Sequence, residues 1–317
     1  MKNFVGLDSL AGFDGRSAVT IGTFDGVHLG HRFLIARTIE AARARGLESI
    51  VLTWDRHPSA TLRPDKVPPL LTTPERKMEL LEATGIDNVV VLPFDKELSS
   101  WPPERFVNDV LVQGLNAAEV VVGSNWRFGH KAAGDVALLA GLGEEVALTV
   151  DGVDLETIGG AAVSSSRVRA AIKGGDMKLA RDLMARPFDA DGVVEHGDDR
   201  GASLGFPTAN VKVDESLAHP PIGVYAGRAR VSLHGSDVWR PAAINLGTNP
   251  TFAAEGETIP PRIEAYLLDF EGDLYTHPIR IEFWERLRDE QRFDTPDALI
   301  AQIEQDVIQT GALIRGE

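Results

Sequence analysis

Two hydrophobic rhythms divide the chain near residue 186. Before it, short apolar runs rich in β-branched residues alternate with stretches whose apolar positions recur every three or four residues. The first pattern marks strands and the second amphipathic helices. Strands are predicted at Ala18–Ile21, Ser49–Trp54, Asn88–Leu92, Glu119–Val122 and Val146–Val150, and helices near 32–44, 75–84, 102–113 and 134–142. Such alternation predicts an α/β domain with a parallel sheet covered on both faces and ligands at the carboxyl ends of its strands. The stretch His57–Pro74 is irregular and dotted with prolines. It reads as a flap over the site, without an element of its own.

From 187 onward the helical period disappears. Extended runs at Asp191–Glu195, Gly223–Val231, Pro241–Leu246, Arg262–Leu268 and Ile279–Trp284 are separated by Gly, Pro, Asn and Asp. That spacing predicts a small antiparallel barrel or sandwich. At the end, Thr295-Pro296 is a cap-and-first-turn pair, and Leu299, Ile300, Ile303 and Val307 form one apolar stripe. A terminal helix packed on the barrel follows. The domains are therefore expected at 1–186 and 187–317.

Charge sharpens the division. Of 317 residues, 43% are hydrophobic and 25% charged, and the net charge is −15. Residues 1–186 hold 21 basic against 24 acidic side chains, or −3, and 187–317 hold 11 against 23, or −12. An acidic chain without a basic stretch is a poor nucleic-acid binder, because such binding needs a cationic surface. The absence of cysteine excludes disulfides and thiolate chemistry and fits a reducing compartment. No apolar run is long enough to span a membrane and the first ten residues do not read as a signal peptide, so the cytoplasm is expected.

The chemistry lies at the ends of these elements. Gly22-Thr23-Phe24-Asp25-Gly26-Val27-His28-Leu29-Gly30-His31 joins the first strand to the first helix. Glycines allow a tight turn and close approach of a ligand, and a helix N-terminus favours an anion such as phosphate. His28 and His31, three apart, share a face of the first turn. Ser164-Ser165-Ser166-Arg167-Val168-Arg169 opens a later helix, where arginines oppose the dipole unless an anion binds. Helix-ending Gly174-Gly175 follows, then a further helix from Met177 to Ala185.

The loop Gly123–Gly129 follows a strand. Its Trp126 and Phe128 are rings that stack on planar ligands or fill a core, the second being the commoner fate. In Gly201–Asn210, Pro207 favours an extended backbone that turns Thr208 and Asn210 to one side. A hydroxyl and an amide oxygen so placed suit Mg²⁺. Glu264 sits in an apolar strand. Alternation alone leaves it either a solvated glutamate or, on a ligand face, a general base.

Six stretches occur in order: Gly22–His31, Gly123–Gly129, Ser164–Arg169, Leu204–Asn210, Asn245–Phe252 and Leu268–Tyr275. Together they resemble the bacterial bifunctional riboflavin kinase/FMN adenylyltransferases, over about residues 18–311. The resemblance implies a nucleotidylyltransferase-like, Rossmann-like N-terminal domain and a riboflavin-kinase β-barrel. It implies ATP as co-substrate, Mg²⁺, riboflavin and FMN as substrates, and FMN and FAD as products.

By the family pattern Glu264 activates the riboflavin hydroxyl, Thr208 and Asn210 hold metal and phosphates, and Gly201 and Gly205 line the same nucleotide. In the other site Gly22, Thr23, Phe24, Asp25 and Gly30, with His28, His31, Ser165, Ser166 and Arg167, contact the triphosphate. Asn125, Arg127 and Phe128 there, and Arg288 and Glu290 in the kinase, fall on the flavin side. On sequence alone two alternatives stay open: a chain in which only the kinase turns over, and a flavin carrier without catalysis. A homo-oligomer is equally open.

Overall fold

The computed structural model describes residues 1–197, 201, 204–233, 236–247 and 262–316. Residues 202–203 and 248–252 of the motif stretches lie outside that set. The chain divides into two compact units: Met1–Pro68 with Pro74–Ser164, and Pro69–Thr73 with Ser165–Glu317.

In the first unit β1 (Lys2–Val5), β2 (Ser17–Ile21), β3 (Glu48–Trp54), β4 (Asn88–Leu92), β5 (Ala117–Gly123) and β6 (Thr149–Val153) form one sheet. Its order is β1-β4-β3-β2-β5-β6, and every pairing is parallel. Both faces are covered. Ile50 and Leu52 of β3 join one core cluster with Val19, Val90 and Val120, while Val51 between them joins another with Phe24, Ile35, Leu81 and Val89. This explains the uninterrupted apolar runs: a strand buried on both sides has no polar face to alternate. The chain winds one way from β2 to β4 and returns to the far side of β2 at β5. The crevice beyond the carboxyl ends of β2 and β5 is thus the switch point of the sheet, where α/β proteins bind ligands.

The connecting helices are α1 (Leu29–Arg45), α2 (Pro58–Leu62), α3 (Pro74–Glu82), α4 (Pro103–Phe106) and α5 (Val136–Glu145). Three expectations are corrected here. The stretch His57–Pro74 contains a short helix, α2, because the His57 Nδ1 accepts the Ser59 N–H at 3.1 Å and Pro58 occupies the first turn. The helix expected over 102–113 is α-helical only to Phe106 and π-helical over Val107–Gly114, which turns Val107, Val110 and Leu111 into the core. The strand expected at Val146–Val150 begins at Thr149. Here α5 runs on to Glu145, and Leu148 donates its N–H back to Gly143.

The second unit carries α6 (Ser165–Gly174) and α7 (Met177–Met184), then β9 (Phe188–Glu195), β10 (Ala209–Val213), β11 (Gly223–Leu233), β12 (Ser236–Gly247), β13 (Arg262–Leu267), β14 (Pro278–Arg288) and α8 (Pro296–Arg315); a two-stranded ribbon, β7 (Thr157–Ile158) and β8 (Ala161–Ala162), closes the first. The six strands close into a barrel in the order β10-β13-β12-β11-β14-β9, antiparallel throughout. Closure leaves no sheet edge exposed, so the expected choice between barrel and sandwich resolves to a barrel. The terminal helix packs on β11 and β12, as the apolar stripe predicts.

A buried ion pair ties α8 to the barrel. Arg288 donates to both carboxylate oxygens of Asp306, the closest contact being 2.7 Å, and Asp306 is only 3% exposed. Removing one partner strands the other charge. Asp306→Ala should therefore lower unfolding stability by about 3–5 kcal/mol, read as a reduced midpoint in urea.

Candidate active sites

The turn after β2 is built from conformations that few residues tolerate. Phe24, Gly26 and Val27 all have positive φ, at 50°, 80° and 40°. A β-branched valine there stores about 1–3 kcal/mol of strain. It is held because Phe24 and Val27 are each 1% exposed within the core. The Gly22 N–H is fixed to the Leu52 carbonyl at 3.1 Å, and the Thr53 hydroxyl donates to the Thr23 carbonyl at 3.1 Å.

The turn ends by capping α1. The His28 Nδ1 accepts the His31 N–H at 3.3 Å. Acceptance at Nδ1 leaves the proton on Nε2, so the ring is a donor on its other side. His28 and His31 stack with centroids 3.6 Å apart and planes 14° from parallel. With no acidic residue in its first turn, the N-terminus of α1 keeps its positive end for an anion.

Lys77 was not singled out by the sequence. It projects from α3 to the end of β3, donating to the Trp54 carbonyl at 3.0 Å and the Thr53 hydroxyl at 3.4 Å. Burial pushes its ammonium below the usual lysine value, and the Asp25 and Asp55 carboxylates pull the other way. Burial pushes Asp55 up, but hydrogen bonds from Arg56 and the Phe94 N–H outweigh it and hold that carboxyl low. Neither residue type nor period marks such a lysine. Only the approach of α3 to β3 does.

The loop after β5 leaves the same crevice. Phe128 is buried, 6.0 Å from Phe106, and Trp126 stacks on it at 4.7 Å. Phe128 is therefore a core ring that carries Trp126, while Asn125 and Arg127 are exposed and Arg127 pairs with Asp135 at 3.1 Å. Ser165, Ser166 and Arg167 form the first turn of α6 and belong to the second compact unit.

On the barrel, register decides the alternation left open for Glu264. It lies opposite Asn210 of β10 on one side and Asn245 of β12 on the other, and Asn210 lies opposite Glu195 of β9. Directly opposed residues share a face. The neighbours Val194, Ala209, Val211, Ile263, Ala265, Ile244 and Leu246 are buried inside the barrel. Glu195, Asn210, Glu264 and Asn245 thus form one row on the outer wall. Thr208, two before Asn210, shares that side, and Phe206 packs edge-on against Tyr266 at 5.4 Å.

Gly197 and Gly201, before β10, are pressed onto their neighbours there. A Cβ at Gly197 would lie 2.0 Å from the Asn210 amide, and one at Gly201 would lie 2.4 Å from the Phe206 carbonyl and 3.3 Å from the Thr208 hydroxyl. Gly205, at φ 88°, needs its own conformational freedom. Gly201→Ala should accordingly displace the Thr208 hydroxyl. At the end of β12 the Glu290 carboxylate and the Asn245 amide both approach Gly247, within 3.2 and 3.4 Å of where its Cβ would be. Arg288 faces Asp306 instead. A cavity of about 750 Å³ reaches Asn210 and is otherwise walled by residues such as the inward-facing Val211, Leu246 and Ile263, with Ile222.

No group of three His, Asp or Glu able to hold a metal is present among the described residues. Thr208 and Asn210 are nevertheless a fitting pair for Mg²⁺: hard oxygen donors held in a cradle that a Cβ at Gly197 or Gly201 would fill. They would supply two ligands, and phosphate oxygens and water the rest.

Comparison with known proteins agrees with both halves. The FAD synthetase family model matches residues 11–167 and the riboflavin kinase model residues 184–314. The chain is 36% identical to the bifunctional riboflavin kinase/FMN adenylyltransferase of Bacillus subtilis (strain 168), over 92% of this chain and 90% of that one. It is also 36% identical to that of Escherichia coli (strain K12), over 91% and 90%. A crystal structure titled as a macrolide-efflux protein from Streptococcus pneumoniae superposes with a TM-score of 0.87 at 27% identity, covering 98% of this chain and 99% of that one. Among the described residues here no helix is long and apolar enough to cross a membrane. With about 90% of its length and both of its halves matched in this way, the chain belongs to the bifunctional riboflavin kinase/FMN adenylyltransferase family.

Proposed function

We propose that the outer wall of the barrel is where riboflavin is phosphorylated and that the turn after β2 is where FMN is adenylylated. The enzyme moves the γ-phosphoryl of ATP to the ribityl 5′-hydroxyl of riboflavin, then joins the resulting FMN to the AMP part of a second ATP, releasing pyrophosphate. The observation that carries the first assignment is the row of Asn210, Glu264 and Asn245 across adjacent strands.

An alcohol is a poor nucleophile until a base accepts its proton, and Glu264 is the carboxylate of that row that stands between two amides, Asn210 and Asn245. Thr208 and Asn210 would hold Mg²⁺, which when bound neutralises phosphate charge. Glu290 is the flavin-side candidate closest to the row. Arg288 is reserved for its Asp306 pair and acts on the flavin only by way of that anchored position.

The adenylyltransferase half needs no base, because the FMN phosphate is already an anion. Its residues position and stabilise charge. The turn Gly22–Asp25, Gly30, and the donors of His28 and His31 receive the triphosphate. Asn125 and Arg127 face the flavin, with Trp126 and Phe128 as the stacked pair behind them. We assign residues 1–186 to this activity, 187–317 to the kinase, and the enzyme to the cytoplasm, where ATP is available.

Supplying each substrate alone tests the two halves separately. Riboflavin with ATP and Mg²⁺ should give FMN, and FMN with ATP and Mg²⁺ should give FAD and pyrophosphate on a chromatogram. Absence of either product refutes the corresponding half.

A further inference from the structure

We propose that Lys77 is a positioning residue of the adenylyltransferase, the cation that lets a triphosphate settle in a turn otherwise flanked by carboxylates. The inference rests on the adenylyltransferase reading of that turn.

The geometry is a relay. The Lys77 ammonium donates to the Thr53 hydroxyl at 3.4 Å, and that hydroxyl donates to the Thr23 carbonyl at 3.1 Å. A second ammonium proton is anchored by the Trp54 carbonyl at 3.0 Å. Lys77 therefore fixes both the last turn of β3 and the first residue after Gly22, at the carboxyl ends of adjacent strands. Long flexible lysines are seldom held this way without a reason, since burying an ammonium opposes its charge.

Charge supplies the reason. Asp25, 4% exposed, lies in the turn, and Asp55 lies just beyond β3. Both act electrostatically on Lys77. Asp55 already pairs with Arg56, but a triphosphate brought against the Asp25 carboxylate is repelled unless a cation stands near it. Several arginines of this half are engaged with carboxylates: Arg56 with Asp55, Arg76 with Glu79, Arg37 with Glu40 and Asp151, and Arg127 with Asp135. Lys77, whose hydrogen bonds described above go to neutral oxygens, is the cation placed behind the phosphate turn. It acts on the nucleotide through Thr23 and through its field, so its effect belongs in the binding of ATP.

The test compares Lys77→Gln, which keeps a hydrogen-bond donor and removes the charge, with Lys77→Arg, which keeps the charge. In the full-length enzyme with FMN as substrate, Lys77→Gln should raise the KM for ATP about 10–100-fold with a smaller change in kcat. Lys77→Arg should keep that KM within about fivefold of the wild type. Riboflavin phosphorylation, carried by the barrel, should be unchanged in both. A KM for ATP in Lys77→Gln equal to the wild type overturns the proposal, as does a folded Lys77→Arg as impaired as Lys77→Gln. If Lys77→Gln does not fold, Lys77→Arg decides alone, a KM raised beyond fivefold counting against. Failure of the underlying reading looks different: the wild-type enzyme would form no FAD from FMN.

Discussion

Glu264→Gln should lower FMN formation from riboflavin by about 10²–10⁴-fold, the usual contribution of a general base, while FAD formation from supplied FMN is unchanged. Glutamine keeps the shape of the side chain and its place opposite Asn210 and Asn245. What it loses is the capacity to accept a proton. The barrel should remain intact, because position 264 is on the outer wall and the buried neighbours Ile263 and Ala265 are untouched. A drop confined to binding, with KM raised and kcat kept, would make the carboxylate a flavin contact instead of a base.

His28→Ala should do the reverse, cutting FAD formation from FMN by about 10²–10³-fold, the range for loss of one preorganised donor to developing charge, and sparing FMN formation. Two effects combine at this residue. The Nε2 donor of the ring is lost, and so is the cap that receives the His31 N–H. Loss of a cap alone costs about 1 kcal/mol of stability, too little to account for such a fall in rate. His31→Ala, which leaves the cap acceptor in place but removes the stacked partner 3.6 Å away, separates the contributions. If a folded His28→Ala enzyme lost both activities, the division of labour between the two units would be wrong.

The legible parts of this chain were local. The run Ala18–Ile21, the glycine turn and the helix behind it are consecutive in sequence, so period and turn chemistry predict their geometry directly. Glu264 was legible as a residue type but not as a site, because only the register of β13 against β10 and β12 tells which way it faces. The edge strand Lys2–Val5 was missed since it is mostly exposed and shows no alternation. His57 reads as an ordinary loop histidine until its ring is seen capping α2. Lys77 illustrates the general limit: its partners lie 23 and 24 residues away and on another element, and sequence patterns carry no information about which helix face meets which strand end. Arg288 shows the converse, a motif residue whose tertiary partner, Asp306, comes from the terminal helix.

The central claim is that two separate sites on one chain act in succession. Mixing Glu264→Gln and His28→Ala enzymes with riboflavin, ATP and Mg²⁺ tests it most directly. Glu264→Gln alone should give neither product from riboflavin, and His28→Ala alone should stop at FMN. The mixture should make FAD, because FMN released by one variant is a substrate for the other. A mixture that yields no FAD, while Glu264→Gln still converts supplied FMN, would contradict the account.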